Sequence, residues 1–187
     1  MLREKTNFKD DVKIYGPIGE NRLKDILTLR GKSFIDVSEY KEFRDLDIDI
    51  IQIENECSIE TILEKINHGQ PLSDIDAISY EVKTDTFGII SRNIVFEVIS
   101  NSNIGCLART KADYLFYVFL NKDNNIEEEY LIPMKKLRHW LMENFGMINK
   151  SSYLKAKSMR RDSDNTGIFL VNIEKLIEDK IATKLNV

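Results

Sequence analysis

Apolar and polar residues alternate along this chain in two rhythms, and the changes of rhythm divide it into elements. Across "AISYEVKTD", Ile78, Tyr80 and Val82 alternate with Ser79, Glu81 and Lys83. That period of two predicts a strand with one apolar and one polar face. "SFIDVS", "NIVFEVIS", "EEEYLIP" and "TGIFLV" predict further strands. "YLFYVFL", after one helical turn, is apolar almost throughout, as suits the middle of a covered sheet. "DLDIDIIQI" alternates acid with isoleucine before turning wholly apolar, which predicts a strand with Asp47 and Asp49 on one face.

The other rhythm is helical. After a turn at "GPIG", Leu23, Ile26 and Leu27 share a face, and Gly31 ends the helix. "SIETILEKIN" carries Ile59, Ile62, Leu63 and Ile66; "MKKLRHWLMENF" carries Met134, Leu137, Trp140 and Leu141. "NIEKLIEDKIATKL" aligns Ile173, Leu176, Ile177 and Ile181 behind Asn172 as N-cap. Residues 146–165 are polar, basic and unpatterned. Helices interleaved with strands predict an α/β fold, a central mixed sheet flanked by helices. With no repeat and no Gly/Pro-rich linker, residues 1–187 read as one domain, its core at about 15–120 and a basic part at 131–187 packed on it.

Composition narrows the class. The chain is 42% hydrophobic and 31% charged, as in a folded soluble protein. No apolar run approaches a membrane span, and "MLREKTNFKDD" lacks the apolar segment of a secretory leader, so a cytoplasmic protein without a membrane partner is expected. Cys57 and Cys106 form no CxxC motif and predict free thiols. His68 and His139 are too isolated for a zinc site.

The net charge of −4 hides an asymmetry. Asp36 to Glu60 holds nine acids against Lys41 and Arg44, whereas Leu131 to Arg161 holds eight Lys or Arg against Glu143 alone. The first zone suits cations and the second anions, although solvated faces give the same pattern.

Residues two apart on a strand lie roughly 6.5–7 Å apart on one face. Glu81 and Lys83 therefore project together, and Asp49 or Asp47 joins them if the acidic strand pairs alongside. Two half-buried carboxylates and an ammonium need compensation, which a hard divalent cation gives. Mg²⁺ takes one or two carboxylates and leaves room for a phosphate oxygen. The lysine then orients a water or offsets charge at phosphorus. This is the donor set of metal-assisted phosphodiester hydrolysis. A Glu-x-Lys pair is also common on solvent-facing strands, so the pair alone is a weak signal.

The order of a helix with Glu20, a strand with Asp49, then "YEVKTD", then another strand and helix resembles the PD-(D/E)xK nuclease superfamily, the restriction-endonuclease-like fold. "GENRLKDILTLRGKSFIDVS", "YKEFRDLDIDII", "YEVKTDTFGIISRNIVFEVISN" and "GCLARTKADYLFYVF" are similar to a group of small phage and bacterial nuclease-like proteins. The resemblance spans about Tyr15 to Leu120 and continues more faintly through "YLIPMKKLRHWL" and "NTGIFLVNIEKL". It implies catalytic roles for Asp49, Glu81, Lys83 and Glu20, with Mg²⁺ or Mn²⁺ held by Asp49, Glu81 and the Val82 carbonyl. No proline precedes Asp49, and Asp47 or Asp76 competes with it as the motif aspartate. Glu20 is also a residue type that a helix's first turn favours.

Further candidates lie around this set. Thr84 and Asp85 would shape the site, and Glu97 would support it. Arg92, Asn93, Thr110 and Lys111 are candidate phosphate contacts, while Asp113 and Tyr114 read as structural. Tyr114, Phe116, Tyr117 and Phe119 read as core, and His139 as surface. Lys155, Lys157, Arg160 and Arg161, in "KSSYLKAKSMRR", form the better nucleic-acid segment. The expectation is a Mg²⁺- or Mn²⁺-dependent nuclease acting on DNA rather than RNA. A catalytically inactive binding module of the same fold, for nucleic acid or protein, and a dimeric junction resolvase are the alternatives.

Overall fold

The computed structural model describes residues 8–100, 103–145 and 167–186. The protein is α/β: a six-stranded mixed sheet is flanked by helices, and a three-stranded sheet packs beside it. Helix α1 (Phe8–Leu29) comes first. Strands β1 (Ser33–Asp36), β2 (Ile50–Ile53) and β3 (Ala77–Asp85) then pair antiparallel in that order. Short helix α2 (Lys41–Arg44) and helix α3 (Ile59–Asn67) fill the connections. After β3 come α4 (Gly88–Ser91), β4 (Asn93–Ser100), β5 (Asn103–Ile104) and α5 (Cys106–Arg109). This excursion returns as β6 (Tyr114–Leu120), parallel to β3. A parallel pair needs such a long crossover, and here the crossover supplies two strands of the smaller sheet. Strand β7 (Ile126–Pro133), helix α6 (Met134–Phe145), strand β8 (Gly167–Asn172), helix α7 (Ile173–Glu178) and strand β9 (Thr183–Lys184) complete the order. The large sheet runs β1-β2-β3-β6-β7-β9 and the small one β5-β4-β8.

Alternation along β3 and β6 divides the core. Tyr80, Val82, Phe116, Val118 and Leu120 face α1 and meet Leu23, Ile26 and Leu27. Leu115, Tyr117 and Phe119 face the other way, against Ile94, Phe96, Trp140, Leu141 and Leu176. A third cluster, around Phe43, Ile48, Ile51 and Ile62, covers β2 on that second side. Strand β6 is thus covered on both faces, as its unbroken apolar run predicts.

Three predicted boundaries differ. The turn expected at "GPIG" is absent, because α1 runs through Gly16 and Pro17. Tyr15 and Ile18 continue the stripe of Leu23 and Ile26 onto the sheet, and that burial outweighs the hydrogen bond proline removes. The strand expected over "DLDIDIIQI" begins only at Ile50, since Asp47 is left-handed at φ 48° and turns the chain. The last helix stops at Glu178, and Thr183 joins the sheet opposite Leu131. Asn172 caps that helix as expected, its side chain accepting from Glu174 N. Gly31, at φ 64°, closes α1.

Candidate active site

The register of β2 on β3 builds the site. Ile50 pairs with Tyr80 at the end of the ladder, and Asp49 lies just beyond it. Asp49 N donates to Tyr80 O at 2.9 Å, and Val82 N donates to Asp49 Oδ2 at 2.8 Å. The Asp49 carboxylate is thereby held at the end of β2. In β3 the N–H and C=O of one residue point to the same neighbour, so the Val82 carbonyl also faces the β2 side, beyond its last residue.

Glu81 is only 4% exposed, and Lys83 Nζ lies 2.6 Å from its Oε1. The lysine side chain is 42% exposed, so it carries the site from the interior to the surface. Burial pushes the Glu81 carboxyl up to about 7; Lys83 pulls it down, and Asp49 pushes it up. Asp49 is also raised, by burial first, against the Val82 N–H and Lys83. Glu20, on α1, is raised by burial and then by Asp49, which places its charge within reach of the same group. Burial is thus the first cause of the rise in all three carboxyls.

Gly19 brings Glu20 there. A Cβ on Gly19 would run into the Thr84 hydroxyl and come within 2.9 Å of Val82 Cγ1. The helix therefore presses on β3 at a position without a side chain. Glycine inside a helical pattern is the sequence signal for such an approach.

The structure separates the competing aspartates. Asp76 precedes β3 and is five positions from Glu81, roughly 16–17 Å along a strand. It is left-handed at φ 51° and accepts from Asn55 Nδ2 at 3.0 Å. Asp47 is not on a strand face with Asp49: Arg109 Nη2 and Nε hold its carboxylate at 2.6 and 2.7 Å.

Most of the remaining candidates have partners of their own. The Arg92 guanidinium reaches Glu128, Glu174 and Tyr130 and lies over the Phe119 ring. Thr110 is buried; its hydroxyl donates to Asp47 O at 2.8 Å and accepts from Ala112 N at 3.1 Å. Lys111 is exposed, as a phosphate contact requires. Glu97 pairs with Ile168 in the smaller sheet, beside exposed Val95 rather than beside Glu81. Asn93 pairs with Asn172 at the edge of the same ladder. Asp85 caps α4 through Phe87 N and Gly88 N and accepts from the Tyr117 hydroxyl at 2.9 Å. Thr84 faces α1 at Gly19. Asp113 is structural, accepting from Ser79 N and Oγ. His139 is exposed and lies 3.2 Å from Glu143. Lys155, Lys157, Arg160 and Arg161 lie outside the described residues.

A pocket of about 430 Å³, lined by Arg22, Glu127, Glu128, Glu129 and Lys184, lies toward the other edge of the sheet. Glu129 is ion-paired with Arg22, and Glu128 with Lys184 and Arg92, so these charges neutralise one another. No helix among the described residues is long and apolar enough to cross a membrane.

No family model matches the chain, and no curated protein matches it significantly.

Proposed function

We propose that this protein is a Mg²⁺- or Mn²⁺-dependent deoxyribonuclease of the PD-(D/E)xK type, with a restriction-endonuclease-like fold. The observation that carries this reading is that Asp49 is bonded to β3 on either side of Glu81, at Tyr80 O and Val82 N, with half-exposed Lys83 paired to the glutamate. The order of elements that underlies the resemblance, α1 with Glu20, β2 preceded by Asp49 and β3 with Glu81-x-Lys83, is retained in the fold.

The donor types fit a hard divalent cation: two carboxylates held at neighbouring points of β3 and a backbone carbonyl between them. Asp49, Glu81 and the Val82 carbonyl would hold it. Bound there, the cation would supply Lewis-acid activation of water and neutralise charge on the phosphate. Lys83 would give up its pairing with Glu81 to hold the attacking water or a phosphate oxygen. Glu20 would orient that water from the helix side. Val82 N–H keeps Asp49 from swinging away.

One observation favours a second reading, a binding module of the same fold that does not cut. Among the described residues no group of three His, Cys, Asp or Glu side chains is arranged to hold a metal ion. Calorimetric titration with Mn²⁺ separates the readings. Uptake that disappears in Asp49→Asn and Glu81→Gln supports the enzyme, and no uptake supports the module. Incubation with single-stranded, duplex and branched DNA and with RNA, each with and without Mg²⁺ or Mn²⁺, then tests cleavage directly. Absence of cutting on every substrate would refute the proposal.

A further inference from the structure

We propose that residues 109–113, "RTKAD", are a positioning clamp that sets Asp49 against Glu81. The segment grips both halves of the site, two residues upstream of each acid. On one side, Arg109 binds both carboxylate oxygens of Asp47, Thr110 Oγ1 donates to Asp47 O at 2.8 Å, and Lys111 N donates to Leu46 O at 2.9 Å. On the other, Asp113 accepts from Ser79 N at 2.9 Å and Ser79 Oγ at 2.8 Å, while Asp113 N donates to Ser79 O at 3.0 Å. Arg138, from α6, fixes the middle by donating to Thr110 O.

Asp47 has the left-handed backbone that turns the chain into β2, a conformation non-glycine residues keep only when their surroundings hold it. The grip on Asp47 therefore decides where Asp49 emerges. The grip on Ser79 fixes the strand that delivers Glu81. Thr110 is buried with its hydroxyl bonded to backbone on both sides, so it reaches the site only through Asp47. Arg109 and Thr110 are positioning residues, and the purpose assigned to them rests on the nuclease reading.

The hydrogen bond from Val82 N–H to Asp49 Oδ2 reports the clamp without any metal. Amide exchange is measured by NMR on the metal-free protein. In Thr110→Val, Val82 should exchange about tenfold faster relative to the core amide of Phe116, the effect of weakening one buried hydrogen bond. Thr110→Ser keeps the hydroxyl and should stay within about twofold of wild type. Arg109→Ala, at a side chain 47% exposed, should fold and shift Val82 in the same direction. Mn²⁺ affinity should fall by about tenfold in both clamp variants, as when outer-shell partners are lost. Val82 exchange that tracks Phe116 in both variants overturns the clamp. A wild-type protein that takes up no Mn²⁺ overturns the nuclease reading instead, and Val82 still decides the clamp.

Discussion

Glu81→Gln tests the buried charge on which the site depends. The substitution keeps the shape of the side chain and removes its titration. In the folded protein this carboxyl rises from an ordinary 4.5 to about 7, by burial and then by Asp49 working against Lys83. The folded state therefore binds the proton more tightly than the unfolded state. The stability this gives is complete below about pH 4.5 and is lost as pH rises through about 7. At about 1.4 kcal/mol per pKa unit, the loss approaches ~3 kcal/mol by about pH 8. Urea unfolding in chelator from about pH 5 to about pH 8 measures it. The variant should gain on wild type by up to ~3 kcal/mol across that range. Mn²⁺ at about a hundred times its dissociation constant should return ~2.7 kcal/mol to wild type and nothing to the variant. Parallel stability curves in chelator would show that Glu81 titrates like a surface acid, and the argument from its burial would fail.

Other substitutions probe the surroundings. Lys83→Ala removes a half-exposed side chain, so melting should change by less than about 1 kcal/mol while cleavage falls at least about a hundredfold; full activity with saturating metal contradicts its role. Gly19→Ala should lower the thermal midpoint, because overpacking against Val82 and Thr84 costs about 1–3 kcal/mol, more than the roughly 1 kcal/mol of better helix propensity. An unchanged midpoint would mean that α1 does not press on β3 there. Arg92→Ala leaves Glu128 and Glu174 without their guanidinium and should cost about 2–3 kcal/mol in urea unfolding. The salt dependence of DNA binding should stay that of wild type in this variant; a slope smaller by about one would restore Arg92 to the phosphate contacts.

Periodicity made one half of the site legible and left the other half to register. Alternation in "SYEVKTD" places Glu81 and Lys83 on a common face, and β3 spans Ala77–Asp85, the predicted strand. No pattern in one strand says which residue of another lies opposite. The apolar run after Asp49 set it ahead of Asp47 and Asp76, and its bonds at Tyr80 O and Val82 N hold it against β3 on either side of Glu81. The alternation of "DLDID" was misleading for a local reason. It reads as a strand, but a left-handed Asp47 breaks the extended run and is stabilised by contacts 62 and 63 positions away in sequence. The same distance hid the purpose of "TKAD". Its threonine looks like a phosphate contact when considered alone, yet Thr110 and Asp113 are both satisfied by the segments that lead to the two carboxylates. Arg92 has a similar frame, since Glu128 and Glu174 reach it from later strands and helices. In this chain Glu20, Asp49 and Glu81 are the carboxyls that burial first, and then a neighbouring acid, hold high. Residues of similar type that folding satisfies become the frame around them. Those raised, buried carboxyls are where the proposed divalent cation would offset charge.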